Sequence, residues 1–267
     1  MKAVEKYIKK ISSAPASKAE LQLILSLIDL TSLEGKDNEK SISALCDKAK
    51  KFKTSAVCVY PTLVSVAKNN LKGTKIKVAS VAGAFPSGQS PLKIRLSETK
   101  FALDEGADEI DMVISRGKFL QGDFKFISKE VSSFKKVCKN KTLKVILETG
   151  ELDSFKNISK ASEIAIESGG DFIKTSTGKI SVNATLESVC AMLLAIKDSG
   201  KKIGIKPSGG ISDGDAAAKY IRLAENILGK SWLTPKLFRF GASRLADNIF
   251  SQLSGNQSIS SSKDINY

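Results

Sequence analysis

Lys174 interrupts an apolar stretch, Asp171-Phe172-Ile173-Lys174-Thr175-Ser176, just ahead of the glycine-containing loop Thr177-Gly178-Lys179. Alternation along a strand puts Phe172, Lys174 and Ser176 on one face and Ile173 and Thr175 on the other. If that strand is buried on both faces, the ammonium loses its hydration, and a desolvated lysine gives up its proton below its usual value of about 10.4. A neutral amine of that kind is a nucleophile toward carbonyl carbon. The alternative is a lysine at a strand end whose ammonium simply reaches water. Lys206, in Ile203-Gly204-Ile205-Lys206, sits one strand further along. Two ammonium groups on adjacent strands repel, which drives one of them toward the amine; an ion-paired structural lysine is the competing reading of Lys206. Asp111, in Glu109-Ile110-Asp111-Met112, either moves protons with a bound water or only neutralises the lysines.

Other charges fall inside apolar stretches as well: Asp29, Glu109, Lys144 and Glu148. Lys144 and Glu148 are four residues apart, so a strand through both would present them on one face. Three lysines facing several carboxylates can balance their charge in a buried interior. Downstream, Gly178-Lys179, Ser208-Gly209-Gly210 and Gly241-Ala242-Ser243 form three glycine-containing loops. Glycine lets backbone amides approach an anion closely, and helix N-termini offer unpaired N–H groups, so these loops point to a phosphate on the substrate. Tight turns between strand and helix are the plainer use of the same glycines.

The elements that must carry these residues alternate regularly. Apolar runs at 25–31, 55–60, 77–81, 107–114, 143–149, 171–175, 202–206 and 237–241 predict eight strands. Helical spacing at 39–51, 62–71, 92–105, 124–138, 155–168, 185–198, 213–228 and 243–253 predicts a helix after each. Strict alternation requires parallel strands with right-handed crossovers. Eight such units in 267 residues fit an α/β fold of the (β/α)8 TIM-barrel kind, a parallel eight-stranded barrel with outer helices, of about 250 residues. The open doubly wound sheet is the alternative, and no GxGxxG follows the first strand. A polar amphipathic segment at 1–11 reads as a short helical extension of a single domain at 1–253, and the Ser-rich stretch 254–267 as a flexible tail. In a barrel, the catalytic groups sit at the C-terminal ends of strands, where Lys174 and Lys206 fall.

Composition narrows the chemistry further. The chain has no histidine, which removes Ser-His-Asp, Cys-His and His-ligated metal chemistry together. Cys46, Cys58, Cys138 and Cys190 form no CxxC pair and read as reduced thiols. No apolar run approaches the ~20 residues that span a bilayer, and the N-terminus lacks a signal-peptide core, so a soluble, cytoplasmic protein with no membrane partner is expected. The net charge of +14 comes from 42 Lys and Arg against 28 Asp and Glu, and only five of the 42 are arginine. The lysines are scattered along the helices without interleaved aromatics, so a solvated basic surface is the reading, and no nucleic acid is expected as partner. A basic barrel that binds nucleic acid is the non-enzymatic alternative.

Five motifs, in order, carry a resemblance: Leu27-Ile28-Asp29-Leu30-Thr31, Glu148-Thr149-Gly150-Glu151-Leu152, Asp171 through Gly178, Lys206-Pro207-Ser208-Gly209-Gly210 and Arg239-Phe240-Gly241-Ala242-Ser243. Together they resemble the deoxyribose-phosphate aldolase family, class I aldolases that work through a Schiff base. The resemblance implies reversible cleavage of 2-deoxy-D-ribose 5-phosphate to acetaldehyde and D-glyceraldehyde 3-phosphate, in deoxyribose phosphate catabolism, with neither metal nor cofactor. It assigns Lys174 as the Schiff-base lysine, Lys206 as the lysine that perturbs it and Asp111 as the proton relay. Lys144 would support them, Asp29, Thr177 and Cys58 would lie near the sugar, and Tyr267 would reach the site from the tail. Gly178, Lys179, Gly209, Gly210 and Ser243 would form the phosphate shell. The partners implied are small phosphosugars and aldehydes, with a homodimer as the expected assembly. Two departures stand out: Arg244 follows Ser243 where many members have a second serine, and Gly83-Ala84-Phe85-Pro86-Ser87-Gly88 differs from the commoner loop. A lysine aldolase with a ketose donor is the neighbouring alternative.

Overall fold

The computed structural model describes residues 2–254. Eight strands run in the order expected of βα repeats: β1 Ile28–Thr31, β2 Ala56–Val59, β3 Lys77–Ala82, β4 Glu109–Val113, β5 Thr142–Ile146, β6 Phe172–Lys174, β7 Gly204–Lys206 and β8 Phe240–Ala242. All neighbouring pairs are parallel, in the order β7-β6-β5-β4-β3-β2-β1-β8. The ring closes between its two end strands, where the Ile205 N–H donates to Leu237 O at 2.9 Å, Arg239 N–H to Ile205 O at 3.0 Å and Gly241 N–H to Pro207 O at 2.9 Å. Closure satisfies the backbone groups that an open edge would leave unpaired.

The helices are α1 Lys2–Ile8, α2 Lys18–Ser26, α3 Glu39–Phe52, α4 Val64–Asn70, α5 Leu92–Asp104, α6 Arg116–Leu120, α7 Phe124–Cys138, α8 Phe155–Glu167, α9 Leu186–Ser199, α10 Gly214–Leu228 and α11 Leu245–Leu253. Local chemistry sets their ends. Asn38 caps α3 by accepting from the Ser41 N–H, Thr185 caps α9 through the Ser188 N–H, and Gly200 closes α9 in the left-handed region. Such caps each contribute about 1 kcal/mol. Helix stripes such as Ile42, Cys46 and Ala49 of α3 pack against the apolar outer faces of the strands to form the core.

Three expectations change. The first strand starts at Ile28 rather than residue 25, because Ser17 and Glu20 form a reciprocal cap and Leu21, Ile24 and Leu25 recur at helical spacing. The fifth ends at Ile146, so Glu148 shares no strand face with Lys144; at φ 58° it opens a short 3-10 turn instead. The additional helix α6 precedes α7 between β4 and β5. Tyr267 and the tail assigned to 254–267 lie, apart from Ser254, outside the described residues.

Candidate active site

Strand register creates a buried cluster of charges. Asp111 of β4 pairs across the ladder with Lys144 of β5, and Lys174 of β6 with Lys206 of β7. Strand alternation turns these side chains into the barrel, where Lys174 is 2% exposed and the other three are fully buried. Asp111 is the hub: its Oδ2 accepts from Lys174 Nζ at 2.9 Å and Lys206 Nζ at 2.8 Å, while Oδ1 accepts from Lys144 Nζ at 2.9 Å. Lys206 Nζ also donates to Asp29 Oδ2 at 2.6 Å. Lys144 Nζ lies 2.5 Å from Glu109 Oε2 and 3.2 Å from Asp29 Oδ2. Arg239 closes the network from β8's side, donating to Asp29 and, at 2.9 Å, to Glu109 Oε1.

The charge count selects one lysine. Asp29, Glu109 and Asp111 face Lys144, Lys174, Lys206 and Arg239, one cation more than the carboxylates can neutralise. An unbalanced charge in a buried interior is costly, and the least paired group is the one that gives up its proton. Lys174 has a single carboxylate partner and shares it. Burial, aided by the neighbouring Lys206 ammonium, holds it below the ordinary lysine value even against the pull of Asp111. Burial works on Lys206 too, but Asp111 and Asp29 outweigh it and keep Lys206 above the ordinary value. Lys144 is likewise held up against burial by Asp111, Asp29 and Glu109. Burial opposes ionisation of Asp111, yet the three lysines carry it well below the usual carboxylate range.

Lys174 opens onto a cavity of about 330 Å³ at the C-terminal ends of the strands. Its wall brings together Thr177, Gly178, Lys179, Gly209, Gly210 and Ser243, all named from the sequence, with Arg244 beside them. The wall also contains Ser208, from the loop the sequence points to for phosphate, and Asn183, which nothing in the sequence singles out. Gly209 is at φ +78°, and a Cβ there would come within 2.4 Å of Asn183 Oδ1, so both the turn and the close approach require glycine. Lys206, Asp111, Asp29 and Lys144 are buried behind Lys174 rather than in this wall. Lys179 reaches across to Glu34, with Nζ 3.1 Å from Oε1, so its ammonium is engaged at the rim.

Cys58 borders the charge cluster, feeling Asp111, Lys206, Lys174 and Lys144, and packs in a small apolar cluster with Leu33, Ala79 and Val81 against which Tyr60 and Phe85 lie. Burial, with Asp111 nearby, raises its thiol above the ordinary value, so it remains protonated there. Two residues with positioning roles were missed. Arg239 carried the same signal as the lysines, a charge inside an apolar strand. Arg116 carried none, since only the fold brings its Nη1 to 3.0 Å from Glu148 Oε2 and its guanidinium toward the carbonyls of Pro86 and Ser87. Glu148 in turn accepts from the Thr177 N–H at 3.1 Å and from its hydroxyl at 2.6 Å, tying the loop after β6 to the loops after β3 and β4.

A parallel barrel with a poised lysine at its C-terminal face has the geometry for carbonyl addition. The chain belongs to the DeoC/LacD family of aldolases, whose profile matches residues 23–245. It is 46% identical over 239 residues to a deoxyribose-phosphate aldolase of Agrobacterium fabrum, covering 88% of this chain and 92% of the relative. To the human deoxyribose-phosphate aldolase it is 45% identical over 251 residues, covering 86% and 79%. Among solved structures, a putative deoxyribose-phosphate aldolase from Coccidioides immitis aligns with a TM-score of 0.80 at 26% identity, covering 93% of this chain and 94% of the other. A deoxyribose phosphate aldolase from Aeropyrum pernix, described as a unique tetramer, aligns at 0.74 and 25% identity over 95% and 98%.

Proposed function

We propose that this aldolase reversibly cleaves 2-deoxy-D-ribose 5-phosphate to acetaldehyde and D-glyceraldehyde 3-phosphate through an imine on Lys174. The observation that carries the reading is the uneven pairing of the two lysines: Lys206 shares Asp29 and Asp111, whereas Lys174 has only a share of Asp111. The neutral Lys174 amine adds to the C1 aldehyde, and the resulting carbinolamine loses its hydroxyl as water to give an iminium. The iminium accepts the electron pair of the C2–C3 bond as it breaks, while the C3 hydroxyl gives up its proton and becomes the carbonyl of glyceraldehyde 3-phosphate. The enamine left on Lys174 takes a proton at C2, and water hydrolyses the imine to release acetaldehyde. Asp111 Oδ2, in reach of both Lys174 and Lys206, moves protons for the additions and losses of water.

On this reading Lys206 sets the protonation of Lys174, and Lys144 and Asp29 hold the network. Thr177 and Cys58 flank the sugar. Gly178, Gly209, Gly210 and Ser243 receive the phosphate with backbone N–H groups and the start of α11, and Lys179 exchanges Glu34 for it. Tyr267 contributes from the tail, residues 1–253 act as one barrel domain, and the enzyme works in the cytoplasm without metal or cofactor. No helix among the described residues is long and apolar enough to cross a membrane. Ile94 and Phe101, 58% and 45% exposed one heptad apart on α5, support a homodimer, which light scattering checks.

The test is aldehyde release from 2-deoxyribose 5-phosphate, followed by a dehydrogenase specific for glyceraldehyde 3-phosphate. Turnover of this substrate, with no cleavage of ketose 1-phosphates, is expected. Preference for the ketose phosphates would reassign the enzyme to a ketose-donor aldolase.

A further inference from the structure

We propose that the N-terminal mouth of the barrel, opposite the aldolase cavity, binds a small polyphosphate anion. A cavity of about 1210 Å³ opens there, far larger than the one at Lys174. Lys53, Lys75, Lys77, Lys202 and Lys236 line it, and none of the five has a salt-bridge partner among the described residues. Strand order explains how they meet. Lys53 precedes β2, Lys75 and Lys77 lead into and begin β3, Lys202 precedes β7 and Lys236 precedes β8, so they occupy the continuous arc β3-β2-β1-β8-β7.

The acidic groups in the wall do not offset them. Glu109 is already engaged by Lys144 and Arg239, and Asp171 by Lys135 at 2.5 Å and the Leu143 N–H at 2.8 Å. Although these ammonium groups are exposed, gathering them around a concave mouth concentrates their field, and an anion held there relieves their mutual repulsion. Charge spread along an arc matches several linked phosphates better than one. Ile76, Phe172 and Pro235 supply apolar surface beside the lysines, enough for an organic group attached to the phosphate chain. The shared chemistry is a chain of adjacent phosphates, from either an inorganic polyphosphate or a nucleoside triphosphate.

Calorimetric titration with inorganic tripolyphosphate and, separately, with ATP tests the proposal. One saturable site is expected, with affinity falling at least tenfold between about 50 and about 200 mM salt as the charges are screened. The double variant Lys53→Glu, Lys236→Glu, or Lys236→Glu alone if the double variant does not fold, is expected to lose at least about tenfold in affinity, as for removal of charge pairs worth over about 1.4 kcal/mol. Its kcat/KM for 2-deoxyribose 5-phosphate stays unchanged. ATP binding more tightly than tripolyphosphate, with the same sensitivity to the variant, assigns a nucleotide; equal affinities assign the inorganic chain. Absence of saturable binding, or binding undiminished in the variant, overturns the site. So does binding abolished by Ser243→Asp instead, which would place the anion in the aldolase cavity.

Discussion

One carboxylate separates the chemistry of Lys174 from that of Lys206. Both are buried, both touch Asp111 Oδ2, and Lys206 alone of the two also reaches Asp29. With the neutral Lys174 amine as the proposed nucleophile, kcat/KM is expected to rise with pH as Lys174 loses its proton, with burial placing the midpoint of that rise below the ordinary lysine value. Lys206→Leu removes a positive neighbour and frees Asp111 for Lys174, and both changes favour the ammonium. The rising limb of the pH–rate profile therefore moves to higher pH, and activity near neutrality falls at least about a hundredfold if the shift reaches about two pH units. An unmoved limb in that variant would mean that Lys206 does not set the protonation of Lys174. Asp111→Asn is expected to be both slower and less stable, by about 3–5 kcal/mol, because it leaves buried ammonium groups without their acceptor; thermal unfolding checks the second part.

At the level of strands and loops, Glu148 and Gly241 are the points where a small change disturbs the site without touching Lys174. Glu148 is buried, and burial raises its carboxyl above the usual value despite the Thr177 hydrogen bonds and Arg116. Glu148→Gln keeps the size but turns a donor toward Thr177 or Arg116. The loop after β6 then loses its anchor, and KM for the sugar phosphate rises about tenfold, equivalent to ~1.4 kcal/mol, while borohydride trapping of acetaldehyde persists. At Gly241, an added Cβ would sit 2.3 Å from Ser208 Oγ and 3.1 Å from Lys206 Cε, so Gly241→Ala displaces both. Loss of activity with little loss of helical signal is the expected result. The same two positions mark what could be read from the chain. Lys174, Lys206, Asp111 and the glycine loops stood out because charge inside an apolar strand and glycine after it are local patterns. The bridge from Arg116 to Glu148 to Thr177 depends on three separate βα loops meeting above the barrel, which no local pattern encodes. Residues 25–27 read as strand because a short apolar run is ambiguous between periods, and the Ser17–Glu20 cap decides for a helix ending at Ser26.

For the molecule as a whole, the barrel interior is a nearly fully buried charge cluster, neutral once Lys174 is an amine, and its stability depends on pH accordingly. Asp29 and Asp111 are both held below the usual carboxylate range by the cations around them, against the opposing effect of burial. Groups depressed in the folded state stabilise it above the unfolded-state value of about 3.9, and that contribution is lost as pH falls further, because the unfolded chain takes up protons first. The melting temperature should hold steady from about pH 7 to about pH 5 and fall steeply below about pH 4. A constant melting temperature through that lower range would show that the two aspartates titrate normally. Lys174→Met, by contrast, is close in size and leaves Asp111 with Lys144 and Lys206, so its melting temperature is expected to change little. That makes it the clean control for the central claim. Intact protein treated with acetaldehyde and sodium borohydride should gain a single two-carbon adduct, mapped to the peptide containing Lys174, and folded Lys174→Met should gain none. An adduct on Lys206 or Lys144, or one that persists in Lys174→Met, would contradict the account.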